Sequence, residues 1–165
     1  MLAQRLTSWS VTCLAMLALA APSYADEYRV SVTRDDTNLY RITGKDILIQ
    51  TWGCFEFAFG EDALLRMSGR SGSIVFLDQG QKCQVSAVYG KTRVPAGTYS
   101  VTLSRESQDW YSVLGMEMRI KTLACYEYWF AESLTLKVDS DGSAILYKKD
   151  GGYEFVEGFY GPLNL

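Results

Sequence analysis

Histidine does not occur anywhere in the 165 residues. Its absence removes the Ser-His-Asp and Cys-His constellations, the zinc helix with two histidines, and the side chain that most often serves as a general base near neutral pH. The four cysteines include no C-x-x-C pair, so a cysteine-built zinc site is excluded as well. A basic excess is also missing: 16 lysines and arginines face 19 acids. With no basic arm or patch in the chain, nucleic-acid binding and electrostatic binding to anionic membranes are poor readings. Proline is scarce at three, no low-complexity run appears, and tyrosine is plentiful at eleven, which marks a folded chain rather than a tail or linker.

Long apolar runs are confined to one place. Arg5 precedes Val11 to Ala21, and Pro22, Ser23, Tyr24 and Ala25 follow. A charged start, a short apolar run and a small-residue site predict a secretory signal peptide over residues 1–25, cleaved after Ala25. The run is short for a membrane span and no later stretch is a better candidate, so the expectation is an exported chain, periplasmic or secreted, with no membrane span. Cleavage removes Arg5 and no acid, which leaves fifteen basic against nineteen acidic residues.

What the chain does contain, it contains twice. TWGCFEF at Thr51 returns as TLACYEY at Thr122, and the spacing of 71 holds from Tyr28/Tyr99 through Arg34/Arg105, Tyr40/Tyr111, Cys54/Cys125 and Glu56/Glu127 to Phe59/Phe130. One residue drops out where SGRSGS faces DSDGS, and Tyr89-Gly90 regains register with Tyr160-Gly161. The pattern predicts a tandem duplication: repeat one over 28–90, a linker over 91–98, repeat two over 99–161.

Each repeat reads as a meander of short strands, because alternation and glycine turns appear where helical spacing does not. In repeat one the candidate strands are YRVSVT, NLYRI, a long DILIQTWGCFEFAF, ALLRM, SIVFL and CQVSAVY, with turns at TGK, SGRSG and DQGQ. The fold class expected is all-β, built as two small barrel-like repeats or as one pseudo-two-fold barrel or sandwich. Followed without a break, the long strand puts Phe55, Phe57 and Phe59 on the core face with Ile47, Ile49 and Thr51. Cys54 and Glu56 fall on the opposite face, as do Cys125, Glu127 and Trp129 in repeat two.

Three cysteines outside the leader are an odd number for an oxidising compartment. Pairing Cys54 with Cys83 leaves Cys125 free, with Tyr153 read as the counterpart of Cys83; the rival pairing is Cys54 with Cys125 across a two-fold axis. Carboxylates are the remaining catalytic chemistry, with Glu56 and Glu127 as a glycosidase-like pair. The plainer reading pairs each glutamate with the arginine that recurs beside it, Arg34 or Arg105, or leaves it facing solvent. DSDGS resembles the start of a calcium loop whose remainder is absent, so it reads as a hairpin turn. No motif calls for a cofactor or a metal.

Repeat two differs chiefly in its aromatics: Trp110 for Leu39, Tyr126 and Tyr128 for Phe55 and Phe57, Trp129 for Ala58. These side chains suit protein interfaces and sugar platforms. The sequence therefore predicts a non-enzymatic binding protein. Its candidate site is Trp129, Glu127 and Trp110; its partner is a protein, or alternatively a glycan or peptidoglycan fragment. A carboxylate-based hydrolase and a structural envelope subunit are further alternatives.

Overall fold

Burial alternates along residues 63–68, 82–86, 133–138 and 144–147, the signature of a sheet with one face on a core and the other on solvent. The computed structural model describes residues 26–165, so the expected signal peptide lies outside the described residues. These residues form twelve strands. The first half contributes β1 (Asp26–Asp36), β2 (Leu39–Ile42), β3 (Ile47–Trp52), β4 (Phe59–Ser68), β5 (Ser71–Phe76) and β6 (Lys82–Thr92). The second contributes β7 (Gly97–Ser107), β8 (Trp110–Val113), β9 (Arg119–Thr122), β10 (Glu132–Val138), β11 (Ala144–Tyr147) and β12 (Tyr153–Pro162). The protein is all-β.

Two rings close within this sheet. The first runs β6-β3-β2-β1-β4-β5 and returns to β6; the second runs β12-β9-β8-β7-β10-β11 and returns to β12. All pairs are antiparallel. Closure satisfies the backbone groups that an open sheet would leave on its edges. Each ring encloses its own core: Val32, Tyr40, Ile49, Leu65, Ile74 and Phe76 in the first, Leu103, Tyr111, Ile120, Leu136 and Leu146 in the second. Of the alternatives open to the sequence, the structure takes two small barrels.

β6 and β12 pair along their C-terminal ends and join the barrels into one sheet. Gly90 faces Gly161 there. These two glycines are the ones that share the 71-residue spacing in the sequence. Leu39, Leu48, Trp110 and Tyr160 form a third apolar cluster between the barrels. The Trp110 indole N–H donates to Asp35 Oδ2 at 3.2 Å, and Arg119 reaches both Gln50 and Glu106. Beyond β12, Leu163 and Leu165 cross over to pack on the first core. A Cβ on Gly90 would meet the Leu163 side chain at 2.8 Å, so a larger residue here would have to displace that leucine.

The expected long strand 46–59 does not exist as one element. β3 stops at Trp52, residues 54–58 cross the barrel mouth without sheet pairing, and β4 starts at Phe59. Gly53 sits at φ +61°, and this left-handed residue reverses the alternation after it. Phe55, Phe57 and Phe59 therefore point outward while Cys54 and Ala58 turn inward, opposite to the phase read from the sequence.

Candidate functional site

The crossing segment is tied down by the residues that recur with it. Tyr40 rises from the first core and donates its hydroxyl to the carbonyl of Glu56 at 2.8 Å, 3.3 Å from Cys54 Sγ. Tyr111 does the same to Glu127 at 2.8 Å, 3.2 Å from Cys125 Sγ. Asn38 and Asp109, both left-handed at φ +57° and +62°, accept the amides of Cys54 and Cys125 at 2.7 Å. Thr51 and Thr122 donate to the carbonyls of those same two turn residues.

Arg34 and Arg105 bind the carbonyls of Phe55 and Tyr126. The expected pairing of these arginines with Glu56 and Glu127 is thus replaced by backbone clamping. The physical reason is that the crossing segment, unpaired by any strand, offers carbonyls that need donors.

Pinned this way, the segment holds its apolar side chains out. Trp52, Phe55, Phe57 and Phe59 are 78%, 75%, 75% and 85% exposed; Leu123, Tyr126, Tyr128 and Phe130 are 62%, 74%, 81% and 85% exposed. Eight large side chains at matching positions form one row on each barrel mouth. Trp52 also lines a cleft of about 470 Å³ between the halves, with Asn38, Gln50, Glu106 and Arg119.

Two of the three site residues expected from sequence are buried. Trp129 is 6% exposed and packs on Tyr111 at 4.7 Å between ring centroids; Trp110 is 2% exposed and belongs to the inter-barrel cluster. Glu127 is exposed at the second mouth, where Lys148 Nζ lies 2.8 Å from its Oε1. The structure does not bring the three together as a surface. Trp129 turns inward for the reason that Phe57 turns outward: Ala124 at φ +53° reverses the phase as Gly53 does. Glu56 and Glu127 sit at the mouths of different barrels, not across one cleft as a glycosidase pair.

Cys54 and Cys83 form the disulfide, and Cys125 is free and buried. A disulfide fits an oxidising compartment. The counterpart of Cys83 is Glu154 rather than Tyr153, because Ile74 faces Cys83 as Leu146 faces Glu154, while Leu65 faces Ile74 as Leu136 faces Leu146. Phe76, two residues after Ile74, is matched by Lys148, two residues after Leu146. The halves thus fill their mouths differently. Phe76 packs on Tyr40 in the first, whereas Trp129 packs on Tyr111 in the second and position 148 is a lysine.

The outward row was the feature that phase-reading missed. Its signal was Gly53 itself, since a glycine inside a strand pattern often marks a bulge. Comparison with family models, with curated proteins and with solved structures gave no match to this chain. Among the described residues no helix is long and apolar enough to cross a membrane.

Proposed function

We propose that this is an exported, non-enzymatic binding protein that takes a protein partner on the aromatic rows at its barrel mouths. One observation carries the reading: four large apolar side chains stand exposed at the same four positions of both halves. Scattered surface apolar residues need no explanation, but four within residues 52–59 matched by four within 123–130 do. Aromatic rings present roughly 150–250 Å² each, so a row at this exposure offers about 500–700 Å², close to the ~800 Å² per partner of a standard interface. Tyr126 and Tyr128 also present ring faces of the kind that stack on sugars, which keeps a glycan as the second reading.

Capture from envelope extract tests this, with the full mature chain and a Phe55→Ser/Phe57→Ser/Phe59→Ser variant as paired baits. A protein retained by the first and lost by the second, with equal melting temperatures, supports the reading. A variant that melts far below the parent would show the row to be part of the fold. Retention of purified glycan strands in place of protein would favour the second reading.

A further inference from the structure

The cleft between the barrels combines an exposed aromatic ring, a buried charge and a set of polar side chains. Trp52 ends β3 at its edge and is the only exposed tryptophan among the described residues, since Trp110 and Trp129 are buried. Its volume of about 470 Å³ falls within the ~300–1,000 Å³ of small-molecule sites. Arg119 forms part of the wall and is 5% exposed. The Arg119 guanidinium lies over the Tyr89 ring at 4.5 Å, pairs with Glu106 Oε2 at 2.7 Å and donates to Gln50 Oε1. This fork holds two cleft side chains by one end each. It leaves the Gln50 amide nitrogen and Glu106 Oε1 for a ligand, beside the hydroxyls of Thr37 and Ser107. The lining carries two acids, Asp36 and Glu106, and one base, Arg119, which is already paired. An anion therefore meets no free cation here.

The positions 71 residues away do not repeat this set. Leu123, Lys121 and Trp110 stand for Trp52, Gln50 and Leu39, and Trp110 is buried with its N–H on Asp35. Closing a barrel thus requires neither Trp52 nor Gln50. We propose that the cleft binds a neutral saccharide, with one pyranose ring stacked on Trp52 and its hydroxyls hydrogen-bonded to Gln50, Glu106, Thr37 and Ser107. A pyranose turns an apolar C–H face to an aromatic ring, and its hydroxyls both donate and accept, which suits amide, carboxylate and hydroxyl partners together. Because Arg119 already holds Gln50 and Glu106, less side-chain freedom is lost on binding. The inference goes beyond the protein-binding reading above: it uses the cleft and, of the aromatic rows, Trp52 alone.

The test titrates cellotetraose and tetra-N-acetylchitotetraose calorimetrically into the full mature chain, with tetragalacturonic acid as the anionic control. Acrylamide quenching of tryptophan fluorescence is the second readout, because the quencher reaches Trp52 and not the two buried indoles. At least one neutral tetrasaccharide should bind saturably and protect the fluorescence, and the anionic one should bind about tenfold more weakly. Trp52→Ala and Gln50→Leu should each weaken binding about tenfold or more at an unchanged melting temperature. Phe55→Ser/Phe57→Ser/Phe59→Ser and Tyr126→Ser/Tyr128→Ser should leave it intact. Preference for the acetylated sugar would support the inference with an amino-sugar strand as the source, and preference for cellotetraose would support it with a glucan. Saturable binding of neither neutral sugar would overturn it and leave the protein-binding reading as it stands. Binding unchanged in both cleft variants, or lost only with Tyr126→Ser/Tyr128→Ser, would overturn it by placing the sugar elsewhere. Tighter binding of the anionic control would overturn the assignment to a neutral ligand.

Discussion

Trp129 and Phe59 show how far a side chain's role depends on one backbone angle. Both lie in aromatic-rich segments near a glutamate, yet the first is buried against Tyr111 and the second stands 85% exposed. Trp129→Ala should therefore cost about 3–5 kcal/mol, as a large-to-small core change does, and Phe59→Ser should stay within about 0.5 kcal/mol. Urea unfolding of the two variants checks this directly; equal effects would contradict the inward and outward assignments. Glu61 offers a second residue-scale expectation. Its carboxyl is raised above the ordinary 4.5, so the folded state disfavours the charged form. The penalty is absent below the ordinary value, grows as pH rises through the raised one, and is constant above it. Glu61→Gln should accordingly melt higher than the parent at neutral pH, and the gap should close on acidification to below the ordinary carboxylate value. A constant gap across that range would show that charge is not the cause.

At the scale of the element, the crossing segments decide what the mouths present. Each begins with a left-handed residue, Gly53 at φ +61° or Ala124 at φ +53°, and enters the next strand near another, Gly60 at +70° or Ala131 at +52°. Alanine in this region carries a steric cost that glycine escapes. The first half thus shows which residue the backbone prefers. Ala124→Gly and Ala131→Gly should each stabilise by about 0.5–1 kcal/mol, the relief of strain exceeding the entropy that glycine loses on folding. Chemical denaturation midpoints measure it, and a loss of stability in both variants would reject the argument. The disulfide acts on the same element. Closing 29 residues between Cys54 and Cys83, it restrains the unfolded chain by about 3–4 kcal/mol in the chain-entropy picture. The second half manages without one, its segment held instead by Trp129 beneath and the Glu127–Lys148 ion pair outside.

Over the whole molecule, the barrels are coupled through the β6–β12 ladder, the Leu39, Leu48, Trp110 and Tyr160 cluster, and the C-terminal leucines laid on the first core. Trp110 is central to that coupling, with its ring on Tyr160 at 5.0 Å and its N–H on Asp35. Trp110→Ala should remove this contact while leaving each ring closed. The expected outcome is a loss of about 3–5 kcal/mol and a broader thermal transition, as two closed barrels melt with less cooperation. A single sharp transition at the parent temperature would show that the ladder alone couples them. The same arrangement gives the molecule two related but unequal mouths, one with the Glu127–Lys148 ion pair and one without.

Strand positions were legible in the sequence, the long strand expected over 46–59 excepted, because alternation and glycine turns are local properties of the chain. The 71-residue spacing likewise announced which residues would make equivalent contacts, and Tyr40/Tyr111 with Cys54/Cys125 do so. Counting cysteines left Cys54 with Cys83 and Cys54 with Cys125 both open, and the structure takes the first. Orientation between Gly53 and Gly60 did not follow, since one left-handed residue reverses the side chains up to the next while leaving composition and spacing unchanged. The register slip was also beyond a linear reading: where the sequence suggested a deletion, the ladders put an extra residue in the second half between Leu136 and Leu146, and so match Lys148 to Phe76 and Glu154 to Cys83. Tertiary structure alone decided which aromatics form cores and which form the rows, because burial depends on ring closure and on which surface the partner barrel covers.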